Sequence, residues 1–400
     1  MDNRKFKQTE IGDIPVDWEV KELGKYASIV RGGSPRPIQD YITTNANGIN
    51  WIKIGDVKPE EKYIVSTEEK IIPEGKVHSR EVKAGDFILS NSMSFGRPYI
   101  LKIDGCIHDG WLAIQSYQET FDIDFLYYLL GSDEIFTQYI AMAAGSSVQN
   151  LNKEKVSKLI IPLPPTLAEQ QRIAKALSDV DNVIATLEKL IQKKKNIKQG
   201  AMQELLTGKK RLPGFAKSTA YKHTELGEIP EDWEVMAVKD LLKIGHGKDY
   251  KNLKEGDVPV YGTGGYMCSV NQYLHDGETV CIGRKGTIDK PFYYNGKIWT
   301  VDTLFYTYDF NGIMPKFLYY KFCLVDWLSM NEASGVPSLT SKNIEDVIIS
   351  VPSKSEQSAT AKVLSDMDKE IDSLNKKLQK YRQLKTAMMQ QLLTGKIRLA

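Results

Sequence analysis

Residues 9–20 read TEIGDIPVDWEV and residues 224–235 read TELGEIPEDWEV, identical at nine of twelve positions. A second pair of segments, 168–212 and 355–399, shares an EQ dipeptide, an LSD tripeptide and an LLTGK end. Between these markers lie two stretches that resemble each other far less. A constant frame around divergent filling implies one scaffold that presents two different recognition surfaces. An internal period this long has to be assigned before any single element.

The segment 166–208 carries apolar residues at heptad spacing: Ile173, Leu177, Val180, Ile184, Leu187 and Ile191, then Ala201 and Leu205. Lys194 and Lys198 interrupt that seam. The copy places Leu364, Met367, Ile371, Leu374, Leu378, Tyr381, Met388 and Leu392 on the same phase, with Thr360 and Lys385 as exceptions. Alternating steps of four and three predict long helices with a narrow, coiled-coil-like seam. The alternative is two amphipathic helices packed on separate cores. Prolines precede each helix, and the Gly of each LLTGK suits its C-terminal end. About 40 helical residues would span roughly 60 Å.

Charge favours antiparallel pairing. Residues 166–188 carry a net −2 and residues 189–212 a net +7, and the copy repeats the gradient. Antiparallel helices set acidic half beside basic half, and each gradient complements its own helix dipole. Helix one then carries the chain away from the first divergent region, and helix two carries it back. The termini should lie close together and the molecule should have an approximate two-fold axis. An insertion should be least costly near the end of helix one, beside Glu204–Thr207.

The divergent regions, about 14–160 and 229–350, read as mixed α/β. Candidate strands are Trp51–Ile54, Phe87–Leu89, Trp111–Ile114, Val258–Tyr261, Thr279–Ile282 and Leu304–Tyr308. Phe125–Tyr128 and Phe317–Tyr320, both FLYY, open core helices. Apolar content of 42% and charged content of 26% fit a soluble globular protein of two to three domains. No apolar run approaches a membrane span. Cys106, Cys268, Cys281 and Cys323 are scattered, which points to free thiols in the cytoplasm rather than a disulfide framework or a zinc site.

The sequence has no G-x-x-x-x-G-K-[ST] phosphate loop, no G-x-G-x-x-G after a strand and no N-P-P-Y-like loop. Its five histidines lack metal-ligand spacing. The strongest catalytic decoy is a nuclease-like set, Asp56 with Glu68-Glu69-Lys70 or with Glu81-Val82-Lys83. With 51 acids and 53 bases such tripeptides arise by chance, and the second repeat has no equivalent.

What remains is a set of polar, glycine-rich loops with isolated cations and aromatics. In the first region these supply Ser34, Arg36, Asn91, Ser92, Ser94 and Arg97 as candidate DNA-binding residues. In the second they supply Lys248, Tyr250, Lys251, Tyr261, Thr263, Arg284, Lys285 and Thr287. Glycine permits close backbone approach to a partner; Arg and Lys reach phosphate or guanine, and Asn, Ser and Thr read base edges. The bland reading of any one loop is an ordinary surface loop.

The GDIPxDW opening, the Pro164-Pro165-Thr166-Leu167-Ala168-Glu169-Gln170 helix start, the LLTGK end and the second cycle together resemble the specificity subunits of type I restriction–modification systems. The second copy departs from the pattern, with Thr360 where Ile173 stands and the single Pro352. The resemblance implies two α/β target recognition domains separated by two long antiparallel coiled-coil helices, a pseudo-two-fold internal repeat. It implies recognition domain 1 over 1–160, a helical spacer over 161–212, a linker and recognition domain 2 over 213–350, and a second spacer over 351–400. Each recognition domain would read one half of a bipartite site in double-stranded DNA. The helices would space the halves and dock two methyltransferase subunits, with a restriction subunit as a further partner and no membrane. The chain itself would be non-catalytic and hold no cofactor or metal. S-adenosylmethionine, ATP and Mg would belong to the partner subunits. A two-headed protein-binding scaffold is the competing class. One feature sits awkwardly: outside the helical segments the chain carries −8, so DNA affinity needs local basic faces and should be weak without partners.

Overall fold

A computed structural model of the chain describes residues 6–58, 61–91, 96–143, 151–216, 220–331 and 333–399. The chain forms two compact units, one of residues 1–187 with 377–400 and one of residues 188–376. Two long helices, Leu167–Leu206 and Lys354–Leu392, each contribute one part to each unit. The repeated Glu-Gln helix starts are capped alike: the Thr166 hydroxyl accepts from Glu169 N–H at 3.2 Å and the Ser353 hydroxyl from Glu356 N–H at 3.4 Å.

Within each unit the two helical parts run antiparallel, as the charge gradients predict. Lys385 meets Asp181 at 2.7 Å in the first unit. Lys194 meets Glu370 at 2.7 Å in the second, where Lys198 also pairs with Asp368. The lysines that interrupt the apolar seam are therefore its polar fasteners. Asp181 and Asp368 each take a second donor from the FLYY helices, Tyr128 hydroxyl and Tyr320 hydroxyl, both at 2.7 Å. Those helices, Ile123–Leu130 and Pro315–Phe322, bury Phe125, Leu126, Phe317 and Leu318 as expected of core elements.

The first unit holds two five-stranded sheets. One runs Ser28–Arg31, Trp111–Gln115, Phe87–Ser90, Pro98–Leu101, Tyr63–Ile64, and the other Ile42–Thr43, Glu69–Ile71, Ile49–Ile52, Gly105–Ile107, Arg80–Val82. Phe87–Ser90 is central and buried at every residue, which explains its continuous apolar run. The second unit holds one six-stranded sheet: Lys243–His246, Leu304–Tyr308, His275–Gly283, Phe292–Thr300, Glu255–Gly262, Gly265–Val270. The predicted strand Trp51–Ile54 forms two residues earlier, over Ile49–Ile52. Asp56 accepts from the N–H of Lys53 at 2.7 Å and draws Ile54–Asp56 into a 3-10 turn.

The repeated sequence blocks meet in matching knots. In the second unit Arg211 donates to Glu356 and to Asp232, while Trp233 Nε1 donates to Glu356 at 3.2 Å. In the first unit Arg398 makes the same bonds to Glu169 and Asp17, and Trp18 Nε1 donates to Glu169 at 3.3 Å. Gly208 and Gly395, at φ +76° and +69°, end the long helices. A Cβ on either would fall within 2.6 Å of Pro230 or Pro15, so glycine is needed for contact as well as for φ. The N-terminal IPxDW block thus fills in the first unit the place its copy fills in the second, and the described residues near the two chain ends touch. Leu206 is fully buried in the second unit and accepts a hydrogen bond at its carbonyl, so Glu204–Thr207 is a poor place for an insertion, against the sequence expectation.

Candidate nucleic-acid interface

Each unit carries a cleft beside its sheet, and the two clefts share a frame that their sequences do not. In the first unit the strand Ser28–Arg31 ends at Gly32, whose N–H donates to Trp111 carbonyl at 2.9 Å. A Cβ on Gly32 would lie 2.0 Å from the carbonyl of His108. In the second unit Lys243–His246 ends at Gly247, whose N–H donates to Leu304 carbonyl at 3.2 Å, and a Cβ there would lie 1.9 Å from Val301 carbonyl. Each glycine is pressed on a turn that carries an aspartate, Asp109 or Asp302. The close approach expected of these glycines is therefore to the protein's own turn. An arginine then braces each turn: Arg31 Nε donates to Asp109 carbonyl at 3.2 Å, and Arg284 Nη1 to Asp302 carbonyl at 3.3 Å.

The first cleft, of about 620 Å³, is lined by Ser34, Arg36, Trp51, Lys53, His108 and Asp109 among others. Asp109 is its hub. Its carboxylate accepts from the Ser34 hydroxyl at 2.8 Å and lies 3.5 Å from Arg36 Nη2. The Ser34 bond, ahead of the other influences, holds Asp109 below the usual carboxylate range. His108 Nε2 faces the N–H of Ile54 at 3.1 Å and Nδ1 faces the N–H of Gly110 at 2.8 Å. Burial lowers the His108 pKa; the neutral ring can accept from one of these two donors, and a protonated ring could accept from neither. The neutral ring helps fix the turn through one acceptor nitrogen.

Ser34 and Arg36 are therefore brought together, Arg36 with its guanidinium largely in solvent. Asn91 is not presented to that cleft. It is buried, and its amide donates to Asp109 carbonyl at 2.9 Å, so it supports the turn instead of offering a base contact. Arg97 is exposed at the start of Pro98–Leu101 and lies outside the cleft lining. Ser92 and Ser94 lie outside the described residues. Asp56 of the nuclease decoy has both oxygens committed to backbone N–H groups, those of Lys53 and Glu68. Glu69 and Glu81 are paired with Lys53 and Lys76 at 2.9 Å each.

The second cleft, of about 690 Å³, joins Tyr250, Lys251, Thr263, Tyr266, Asp302 and Thr303. Lys248 is exposed beside it, and its backbone is held by Thr300 carbonyl at 2.8 Å and by Trp299 Nε1 at 2.8 Å. Arg284 and Lys285 are exposed on the adjoining loop, whose Gly286 approaches the Thr263 hydroxyl. Thr287 is half-buried and its carbonyl packs on Gly283. Tyr261 packs against Phe292 and Tyr294 with ring centroids 5.3 and 5.6 Å distant, and Tyr266, opposite it in the hairpin with ring centroids 6.1 Å apart, takes the exposed place beside the cleft. Sequence reasoning missed Asp109, Asp302 and Tyr266. The turn residues announce themselves only through contacts with residues 18 to 78 positions away. Tyr261 and Tyr266 lie opposite each other on one face of their hairpin, so strand alternation does not separate the packed ring from the exposed one.

Residues 15–199 and 230–383 match the family model described as the type I restriction modification DNA specificity domain. The chain belongs to the type I specificity-subunit family. It is 25% identical over 98% of its length to the type I restriction enzyme MjaVIII specificity subunit of Methanocaldococcus jannaschii, with 96% of that relative covered. It is 21% identical over 89% of its length to the EcoprrI specificity subunit of Escherichia coli, with 88% of that relative covered. In fold it is similar to the S subunit of a type I restriction–modification system from M. genitalium, at a TM-score of 0.60, 17% identity and coverage of 98% of this chain and 97% of that one. A second solved chain, described under complex assembly and conformational transition of the type I R-M system, gives a TM-score of 0.59 at 18% identity, covering 96% and 99%. A specificity subunit is a DNA-recognition component of a type I restriction–modification system. No helix among the described residues is long and apolar enough to cross a membrane.

Proposed function

We propose that each cleft reads one half of a bipartite site in double-stranded DNA, that the chain performs no catalysis, and that the paired helices set the spacer between the halves and dock two methyltransferase subunits. The observation that carries this reading is the duplicated frame: the glycine and the aspartate turn recur, and each turn is braced from the residue that follows the matching strand, Asn91 in one copy and Arg284 in the other, while the side chains around them differ. A shared frame with Ser34, Arg36 and Asp109 in one copy and Tyr250, Lys251, Thr263 and Tyr266 in the other suits two readers of different sequence. Arg284 uses one guanidinium N–H on its own turn, which orients the rest of the fork outward for a guanine or a phosphate. S-adenosylmethionine, ATP and Mg chemistry falls to partner subunits, including a restriction subunit where one is present. The direct test is to reconstitute the chain with its cognate methyltransferase and map methylated adenines. A two-part motif with a fixed unread gap supports the proposal; a contiguous motif, or no sequence preference, refutes it.

A further inference from the structure

The two units differ at one place where their frames otherwise correspond. In the first unit Ile11, Ile14, Leu129, Ile160, Pro162, Leu393 and Thr394 form a groove between the N-terminal hairpin and the strand Ile160–Leu163. The helix Asp133–Ala143 of the same unit fills it and leaves only about 20 Å³. Ile135, 1% exposed, enters the groove. One turn later Gln138 seals the strand's open edge: its amide donates to Ile160 carbonyl at 2.7 Å and accepts from Ile160 N–H at 2.9 Å.

The second unit builds the same groove from Leu226, Ile229, Lys321, Ile348, Ser350, Leu206 and Thr207. Here it is open, with a volume of about 680 Å³. The FLYY helix Pro315–Phe322 is followed by the short turn Trp327–Met330, whose Trp327 goes into the core. No described helix takes the place of Asp133–Ala143. By the strand register shared with Ile160, the N–H and C=O of Ile348 face this groove, and among the described residues nothing occupies Gln138's role there. The rim exposes two apolar side chains, Tyr221 at 47% and Leu226 at 43%, with the charged Lys209 and Glu228 beside them. Its floor is more polar than in the first unit. Lys321 stands where Leu129 stands and donates to Leu206 carbonyl and to the Ser350 hydroxyl.

We propose that this groove of the second unit is a docking site for an amphipathic helix of another protein, one that presents a branched aliphatic side chain and a carboxamide one turn after it. The occupant's chemistry is taken from the helix that fills the matching groove in the first unit. An unsealed strand edge flanked by exposed apolar side chains is otherwise an aggregation hazard, and a helix is one of the standard covers for it. The inference is independent of how DNA is read.

The test uses the full chain and a fluorescent peptide with the sequence of residues 132–143, bridged between positions 136 and 140 to hold it helical. Phe136 and Ile140 are exposed in the first unit, so the bridge stays off the docking face. Tyr139, which is buried in the first unit's own core, is changed by Tyr139→Ala. Anisotropy should show saturable 1:1 binding. Gln138→Ala in the peptide should weaken it by about ten-fold, the scale of one lost pair of edge hydrogen bonds. Leu226→Glu in the chain, at an exposed rim position, should abolish it while leaving the thermal unfolding of the chain unchanged. Binding that ignores Leu226→Glu, or no saturable binding by a peptide that circular dichroism shows to be helical, overturns the proposal.

Discussion

At the scale of single residues, the groups that hold this protein together are mostly polar ones in apolar surroundings. Arg211 and Glu356 are both nearly inaccessible, their side chains 7% and 3% exposed, whereas Arg398 is 30% exposed over Glu169. Removing Arg211 strands a buried carboxylate, so Arg211→Ala should destabilise by roughly 3–5 kcal/mol. Arg398→Ala also leaves a buried carboxylate, but Arg398 is itself partly in solvent and its ion pair is already screened, so the loss should be smaller; urea unfolding of the two variants measures the difference. Lys321 is a second case. Burial pushes its pKa down to about 7, against about 10.4 in the unfolded chain. The unfolded state then binds the extra proton between those values, so the native state gains stability as pH rises from about 7 toward 10 and carries the full burial penalty below 7. Lys321→Leu, the residue type found at position 129, should remove this dependence. Denaturant titrations at pH 7 and pH 9.5 should give a wild-type rise larger than the variant's by on the order of 2–4 kcal/mol. At the clefts, Arg36→Ala and Arg284→Ala should each weaken complex binding by about 1–3 kcal/mol at one half-site if the arginine reads guanine. Equal loss on every sequence in a competition assay would make them phosphate contacts.

At the scale of elements, the long helices, their boundaries within a few residues, their antiparallel sense and the six candidate strands were legible from heptad spacing, charge gradient and turn chemistry. These are local signals, fixed by residues within one or two turns of each other. The knots were not legible as structure, although their residues were the most conspicuous in the sequence. Glu169 and Arg398 are 229 positions apart, and nothing local says that a helix start and a helix end share one carboxylate. The clefts were legible in part. Glycine-rich loops pointed to Ser34, Arg36, Lys251 and Thr263, but a candidate list from loops cannot tell Asn91, bonded inward, from Arg36, facing water. The helix pairing also corrects where a spacer can be lengthened. An insertion beside Leu206 would tear Lys321 and Gly208 from their contacts. Seven residues added after Glu188 and seven after Lys376 keep the heptad phase in both strands of the pair. Each helix lengthens by about 10 Å, so the methylated motif should keep both halves and gain about three unread base pairs. An unchanged gap would show that the helices do not set it.

At the scale of the whole molecule, the chain is one recognition frame used twice, with a different surface mounted on each copy. The segments outside the helices are acidic in sum, so affinity for DNA should depend on the few cations at the clefts and on partner subunits. The isolated chain should therefore bind random duplex weakly and lose that binding between 50 and 200 mM salt, as gel shifts at the two ionic strengths would record. Native mass measurement of the reconstituted complex should give two methyltransferase subunits per chain, one for each copy of the frame; saturation at one would contradict that count. The central claim is that the two clefts read separate halves of one site. It is tested most directly by sequencing adenine methylation across a genome in cells carrying the cognate methyltransferase with either the natural chain or its Arg284→Ala variant. The natural chain should give a bipartite motif, and the variant the same motif with one half relaxed and the other half and the gap intact. Relaxation of both halves together, or a single unbroken motif from the natural chain, would contradict it.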